Sequence, residues 1–375
     1  MGSFFSSNKK LFPLTREISY LDTAAEGLPP STAEAELANY WREKSRGTPG
    51  RVRLYEKQRE TEEAAAKLLG TSPDYVAFLS NSSEGLNLLA NSIDWREGDE
   101  VLICDLEFPS NVVVWLRLKE LGVRLIVIPT TGGVMRLEDW TSRLSRKTRV
   151  VSVSQVSYKT GTQAPFLQSL AEETHRTGAL FCVDATQALG RVPVSVQGVD
   201  YLVASSYKWL LGTHGLGLVY MSEEAREQVT PRTAGWYSIE SVFHARRFET
   251  FDRKSNAGQL QSGMPNFPAL FAMSAGMDVL LSVGVDRLDR ELRPLVKALR
   301  DRLEEQGRSL LTPAGSEFAS GIVSFDCEQA EAKATWLASQ KVIVWGGDGR
   351  IRVSVHLYND ESDIERCLDA IRRMP

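Results

Sequence analysis

Seven short apolar runs, at residues 76–79, 101–104, 125–128, 150–153, 180–183, 202–204 and 216–221, punctuate the chain. Stretches with helical spacing separate several of them. Leu86, Leu89, Ala90 and Ile93, for example, recur at i, i+3, i+4 and i+7 and share one helical face. Runs too short to be helices, alternating with helices, point to strands buried on both faces of a mainly parallel sheet. The pattern therefore predicts an α/β fold with a doubly wound, seven-stranded sheet.

After about residue 235 the texture changes. A loop-rich stretch through Pro268 leads into a long amphipathic helix with Val285, Leu288, Leu292, Leu295, Leu299 and Leu303 on one stripe. Strand-like runs follow at 321–325, 342–345 and 351–357, then a closing helix from Glu361. We expect a large domain over residues 16–250 and a smaller C-terminal α/β domain formed by 1–15 and 251–375.

Composition permits this. A chain of 375 residues, 42% hydrophobic and 25% charged, has material for two cores. Its formal charge of −4 gives no support for nucleic-acid or anionic-membrane binding, so neither is an expected partner. The first 15 residues hold Phe4, Phe5, Leu11 and Phe12 but no continuous apolar core, and no run reaches membrane-spanning length. Cys104, Cys182, Cys327 and Cys367 lack metal-ligand spacing, which predicts reduced cysteines in a cytoplasmic protein with no metal site.

The chemistry gathers at two of the strand ends. Lys208 sits in Ser205-Ser206-Tyr207-Lys208-Trp209, before the glycine-rich Leu211-Gly212-Thr213-His214-Gly215-Leu216-Gly217, and Asp184 closes the apolar run Phe181-Cys182-Val183. Either residue alone reads as a surface charge or a helix cap. At neighbouring carboxyl ends of a parallel sheet, where α/β folds bind ligands, they are the pair that pyridoxal phosphate (PLP) requires. The lysine supplies the Schiff-base amine, and the acid keeps the pyridine nitrogen charged.

Two further segments suit the same cofactor. Ser80-Asn81-Ser82-Ser83-Glu84-Gly85 lies between a strand and a helix, where hydroxyls and free N–H groups meet an anion; helix capping is the plain alternative. Phe108, in Glu107-Phe108-Pro109, follows another strand. Pro109 suits a first helical turn and so leaves Phe108 in the loop, able to stack on a flat ring rather than pack in the core.

With these residues in view, the chain resembles the class V aminotransferase-fold PLP enzymes, a group that includes cysteine desulfurases, kynureninases and isopenicillin epimerase-like proteins. The resemblance runs from Tyr20-Leu21-Asp22-Thr23-Ala24-Ala25 to Arg352-Val353-Ser354-Val355-His356-Leu357-Tyr358-Asn359. It implies PLP fold type I. It also implies Lys208 as the Schiff-base lysine, Asp184 on the pyridine nitrogen, Gln187 on the phenolic oxygen, and Ser82, Ser83, Ser205 and Tyr207 on the phosphate. Phe108 would stack on the ring, and Arg352 would clamp the substrate α-carboxylate, with Tyr158 and Trp236 beside the substrate. The family further implies a homodimer, with Trp236 and the loop around Met264 reaching the neighbouring subunit.

The departures narrow the reaction. Cysteine desulfurases carry a nucleophilic cysteine shortly before the carboxylate-binding arginine, and here that stretch reads Trp345-Gly346-Gly347-Asp348-Gly349-Arg350, without a thiol. That argues against desulfurase chemistry. The expected function is transamination of an L-amino acid or derivative. The alternative is a C–S or C–C lyase or an epimerase, ahead of a desulfurase and of a non-catalytic binding protein. Glu26, Tyr158, Trp236, His214 and His356 are the candidates for steering the outcome.

Overall fold

The computed structural model describes residues 7–375; residues 1–6, the start of the expected small-domain segment 1–15, lie outside the described residues. The strands are β1 (Ser19–Tyr20), β2 (Val76–Leu79), β3 (Glu100–Cys104), β4 (Arg124–Ile128), β5 (Thr148–Ser154), β6 (Leu180–Asp184), β7 (Tyr201–Ser205), β8 (Gly217–Met221), β9 (Ile322–Asp326), β10 (Val342–Ile343), β11 (Trp345–Gly347) and β12 (Arg350–Ser354).

Seven of them form one sheet in the order β2-β8-β7-β6-β5-β3-β4. All neighbours run parallel except β8, which is antiparallel to β2 and β7. Successive residues point to opposite faces of a strand, and here both faces are apolar. Leu102, Val151, Phe181, Val183 and Leu202 belong to one core, while Val101, Ile103, Val150, Cys182 and Val203 belong to a second, across the sheet. Each apolar run seen in the sequence is thus a strand sealed on two sides by helices. The edge strand β4 is the exception, leaving Val127 half exposed.

Beyond the sheet the chain makes two helices where the periodicity suggested one. Phe267–Val283 and Val285–Glu305 meet at Gly284, whose φ of 78° lets the axis turn by 77°. The first is apolar all round because it packs against the helices Thr32–Ser45 and Arg51–Leu69, so it shows no stripe. The second buries Leu288, Leu292, Leu299 and Leu303 from the expected stripe. Among the described residues no single helix is long and apolar enough to cross a membrane.

The remaining strands place the ends of the chain beside each other. β11, β12 and β9 form an antiparallel sheet in that order. Asp348 and Gly349, with φ of 49° and 70°, close the β11–β12 hairpin. β1 pairs in parallel with β10, and Asp22 bridges to Ser354 at the end of β12. The N-terminal segment therefore runs next to the strand that carries Arg352.

Candidate active site

β5, β6 and β7 are adjacent and parallel, so Ser154, Asp184 and Ser205 arrive together at one edge of the sheet. The loops leaving that edge line a cleft whose walls include Ser82, Ser83, Phe108, Tyr158, Asp184, Gln187, Ser205, Tyr207 and Lys208. Every cofactor residue expected from the sequence borders this one space. So do Asn81, from the serine-rich segment, and Ser110, Ser154, Val156 and Thr186, none of which was expected as a site residue.

Lys208 is held by its backbone. Gly27 N–H donates to the Tyr207 carbonyl (2.8 Å), Leu211 N–H to the Lys208 carbonyl (3.1 Å) and Gly212 N–H to the Ser206 carbonyl (2.9 Å). The Ser206 hydroxyl adds a bond to the Leu216 carbonyl (2.7 Å). The side chain is almost wholly buried. Burial, and then the charge of Arg352, push its amine down to about 8, against the opposing pull of Asp184, Glu26 and Asp22. A lysine so placed is the neutral nucleophile near physiological pH far more often than an ordinary lysine, whose value is 10.5.

Asp184 lies at the floor of the cleft. Its Oδ1 accepts from Thr186 N–H (2.8 Å), and Thr186 Oγ1 in turn accepts from Ser205 N–H (3.2 Å), tying the ends of β6 and β7 together. Burial raises the carboxyl above its ordinary value, opposed by the bonds from Thr186 and by Lys208. Gln187 donates one amide hydrogen to the Ala24 carbonyl (3.0 Å), and its Oε1 accepts from Trp209 Nε1 (2.7 Å). Gln187 also borders the cleft, and its amide nitrogen keeps a second hydrogen beyond the one given to Ala24.

Another part of the cleft wall is a cradle of hydroxyls. The helix Ser82–Asn91 is capped by the Asn81 side chain, which accepts from Glu84 N–H (2.8 Å). Capping by Asn81 leaves the Ser82 and Ser83 hydroxyls uncommitted to that cap. Ser82 Oγ instead lies 2.8 Å from Ser205 Oγ, so two elements distant in the chain share one polar corner at a helix N-terminus. A methyl group on Gly217 would stand 2.5 Å from the Asn81 carbonyl carbon, so only glycine lets β8 support the turn this closely.

Phe108 lies in the loop, as Pro109 suggested, and is 42% exposed. Its ring sits 5.4 Å from Lys208 Nζ and packs edge-on against Tyr158. Glu107 anchors that loop from below. Its buried carboxylate accepts from Ser154 N–H and Asn111 Nδ2, each at 2.8 Å.

Arg352 approaches from the C-terminal sheet. It is 4% exposed, donates from Nη1 to the Tyr158 carbonyl (3.0 Å) and lies over the Trp345 ring (5.1 Å). Burial pushes even this guanidinium down to about 10. His214 and Glu26 meet at 3.1 Å, and the imidazole stacks on Tyr207. Trp236 stands apart, 46% exposed and edge-on to Tyr237, outside the walls of the cleft. His356 is fully buried; its Nε2 meets the Trp209 carbonyl (3.1 Å), so it packs behind Lys208 instead of facing the cleft. Asp22, quoted above only as part of a motif, lies 3.8 Å from Arg352 Nη2. Its position depends on a bridge to Ser354 that no local pattern announces.

These residues fit PLP. The cradle offers hydroxyls and a helix N-terminus to a phosphate, the buried Asp184 offers a carboxylate to a protonated ring nitrogen, and Lys208 borders the same cleft beside an aromatic face. All four cysteines are buried, and none borders the cleft.

Comparison with known proteins agrees. The family model "Aminotransferase class-V" matches residues 19–367. An "Uncharacterized aminotransferase YcbU" of Bacillus subtilis is 30% identical over 308 residues, covering 82% of this chain and 80% of that protein. A "Probable cysteine desulfurase" of Pyrococcus abyssi is 27% identical, covering 98% and 96%. Among solved structures, the apo cysteine desulfurase of Thermococcus onnurineus NA1 superposes with a TM-score of 0.90 at 25% identity, covering 98% of this chain and 97% of that one.

Proposed function

Because the chain belongs to the class V aminotransferases, a family of PLP-dependent enzymes, we propose that it transaminates an L-amino acid or a close derivative at Lys208. The observation that carries this reading is the placement of Lys208 and Asp184 in a cleft that no thiol borders, with Arg352 bonded to the carbonyl of its wall residue Tyr158. PLP supplies an electron sink for the charge left when a bond to the amino-acid Cα breaks.

The protein's own groups do the rest. Lys208 binds the cofactor through its amine and moves the proton at Cα, for which an amine near pH 8 is well matched. Asp184 holds the proton on the ring nitrogen; its burial disfavours a lone negative charge and so favours a cationic partner. Ser82, Ser83, Ser205 and Tyr207 would hold the phosphate, Phe108 would cover the ring, and the Gln187 amide would serve the phenolic oxygen. Arg352 takes the substrate carboxylate through its planar fork, steadied by the Tyr158 carbonyl. The large unit at 16–250 then carries the cofactor, and the segment from 251 onward carries the carboxylate clamp.

Desulfurase chemistry needs a thiolate that reaches the substrate. The two-residue turn at Asp348 and Gly349 stands where such a cysteine would be expected, and Cys104, Cys182, Cys327 and Cys367 are buried. We also propose a homodimer, with the exposed Trp236 and Met264 facing the neighbouring subunit. Purified protein should be yellow, with an absorbance that borohydride abolishes. A screen of amino acids with product identification tests the reaction. Keto acid with the cofactor left in its amine form supports transamination. Alanine plus persulfide-level sulfur from cysteine, released as sulfide once a thiol reductant is added, or ammonia plus pyruvate, would replace that reading with a desulfurase or a lyase.

A further inference from the structure

We infer that Asp22 receives the α-ammonium of the incoming amino acid, so that Asp22 and Arg352 together form a clamp for the zwitterion beside Lys208. This deepens the function proposed above and rests on it.

The geometry between the two side chains is unfinished. Asp22 Oδ1 lies 3.8 Å from Arg352 Nη2, well beyond the ~2.8 Å of a closed charge-assisted hydrogen bond. Both side chains are largely withdrawn from water, at 16% and 5% exposure. Yet Asp22 Oδ1 and Arg352 Nε are both buried without a hydrogen-bond partner among the described residues. Buried polar atoms are normally satisfied, and leaving two orphaned in one place carries a cost on each. A carboxylate and a guanidinium this close, each short of a partner, ask for a ligand of mixed charge.

An α-amino acid answers both demands at once. Its carboxylate and ammonium sit on one carbon, so the ligand adds no net charge while supplying an acceptor to Arg352 and a donor to Asp22. A plain carboxylic acid would satisfy Arg352 alone and bring its negative charge towards Asp22. The surroundings favour the same assignment. Burial, with Glu26 nearby, pushes the Asp22 carboxyl up to about 7 despite Arg352 and Lys208, so the group gains from a cation placed against it. Lys208 and Asp22 interact electrostatically, so an ammonium held at Asp22 belongs to the same charged cluster as the Lys208 amine.

Backbone bonds fix Asp22 in this position. Leu21 N–H donates to the Ile343 carbonyl and Ser354 N–H to the Leu21 carbonyl, each at 2.8 Å, while the Asp22 carbonyl accepts from Ala25 and Glu26 N–H at 3.0 Å. The carboxylate is therefore presented by a segment locked between β10 and β12 on one side and a turn on the other. It is a binding group on a rigid support rather than a loop charge free to fold away.

The test uses holoenzyme reduced with borohydride, in which the cofactor is fixed to Lys208 and cannot react. Binding of L-alanine and of propionate, which differ by the amine, is measured for wild type and for Asp22→Asn. We expect wild type to prefer alanine and Asp22→Asn to weaken alanine about tenfold while leaving propionate unchanged or tighter. Asp22→Glu, which keeps the charge, should recover part of the preference and controls for loss of fold. Equal or undetectable binding of the two ligands by wild type overturns the inference. So does an Asp22→Asn variant that weakens both alike, because Asp22 would then only orient Arg352. Protein that takes up no cofactor, and so yields no reduced form, overturns the parent reading and this one with it.

Discussion

The backbone of Gly27 lies so close to Lys208 that a methyl group placed on Gly27 would stand 1.9 Å from the Lys208 carbonyl oxygen. Gly27 N–H also donates to the Tyr207 carbonyl, so the N-terminal segment is both bonded to the lysine loop and pressed against it. Gly27→Ala must push that loop away. We expect a loss of about 1–3 kcal/mol in stability, read by denaturant unfolding, together with weaker cofactor retention on dialysis. A variant that keeps both unchanged would mean that the contact is soft.

The depressed Lys208 amine gives a pH signature. Only the neutral amine captures the cofactor aldehyde, so uptake by cofactor-free protein should rise with pH to about 8 and level off above it. An ordinary lysine would continue to gain rate towards 10.5. Arg352→Met removes a charge that holds the amine down, and so should move the break to higher pH. Absorbance stopped-flow across pH 6–10 reads this directly.

Arg352→Lys keeps a charge but loses the planar fork. If Arg352 takes the substrate carboxylate, KM should rise about 10- to 100-fold, with kcat less affected. The cofactor spectrum should stay as in wild type, since Arg352 contacts Tyr158 and Trp345 rather than the cradle. A shifted spectrum with unchanged KM would reassign the residue to the cofactor.

His356 should make the fold acid-sensitive. Burial holds its imidazole near pH 3, far below its ordinary 6.5, so the native state binds fewer protons than the unfolded one between those values. Stability is therefore complete above 6.5 and declines as pH falls, by up to about 1.4 kcal/mol per unit from this group. His356→Asn should be less stable at pH 7 yet lose less on acidification, as seen in denaturant midpoints at pH 7, 5 and 4. Parallel losses in the two proteins would remove His356 from the explanation.

How far a motif could be read depended on whether its neighbours in space were also its neighbours in sequence. The strands at 180–183 and 202–204 were plain because both of their faces are buried, and the Lys208 and Asp184 pairing followed from their ends. Phe108 was legible through Pro109 alone. The helix Phe267–Val283 was hidden by being apolar on every side, and the strand-like run at 342–345 split into β10 and β11, which belong to different sheets. Asp22 was beyond reach as a site residue. It gains its meaning from Arg352, which lies at the other end of the chain, and no period or cap connects them.

The pairing of β1 with β10 also sets an order of events in the cell. Ser19 is synthesised 342 − 19 = 323 residues before its partner Val342. At ~5–20 residues per second, the wait between them is on the order of half a minute. During it, the elements that line the Lys208 cleft from Asn81 onward are already outside the tunnel, while the strand bearing Arg352 has yet to be made. On the function proposed above, a nascent chain thus has its cofactor wall before it has its amino-acid arm, and a truncated product would carry the first without the second.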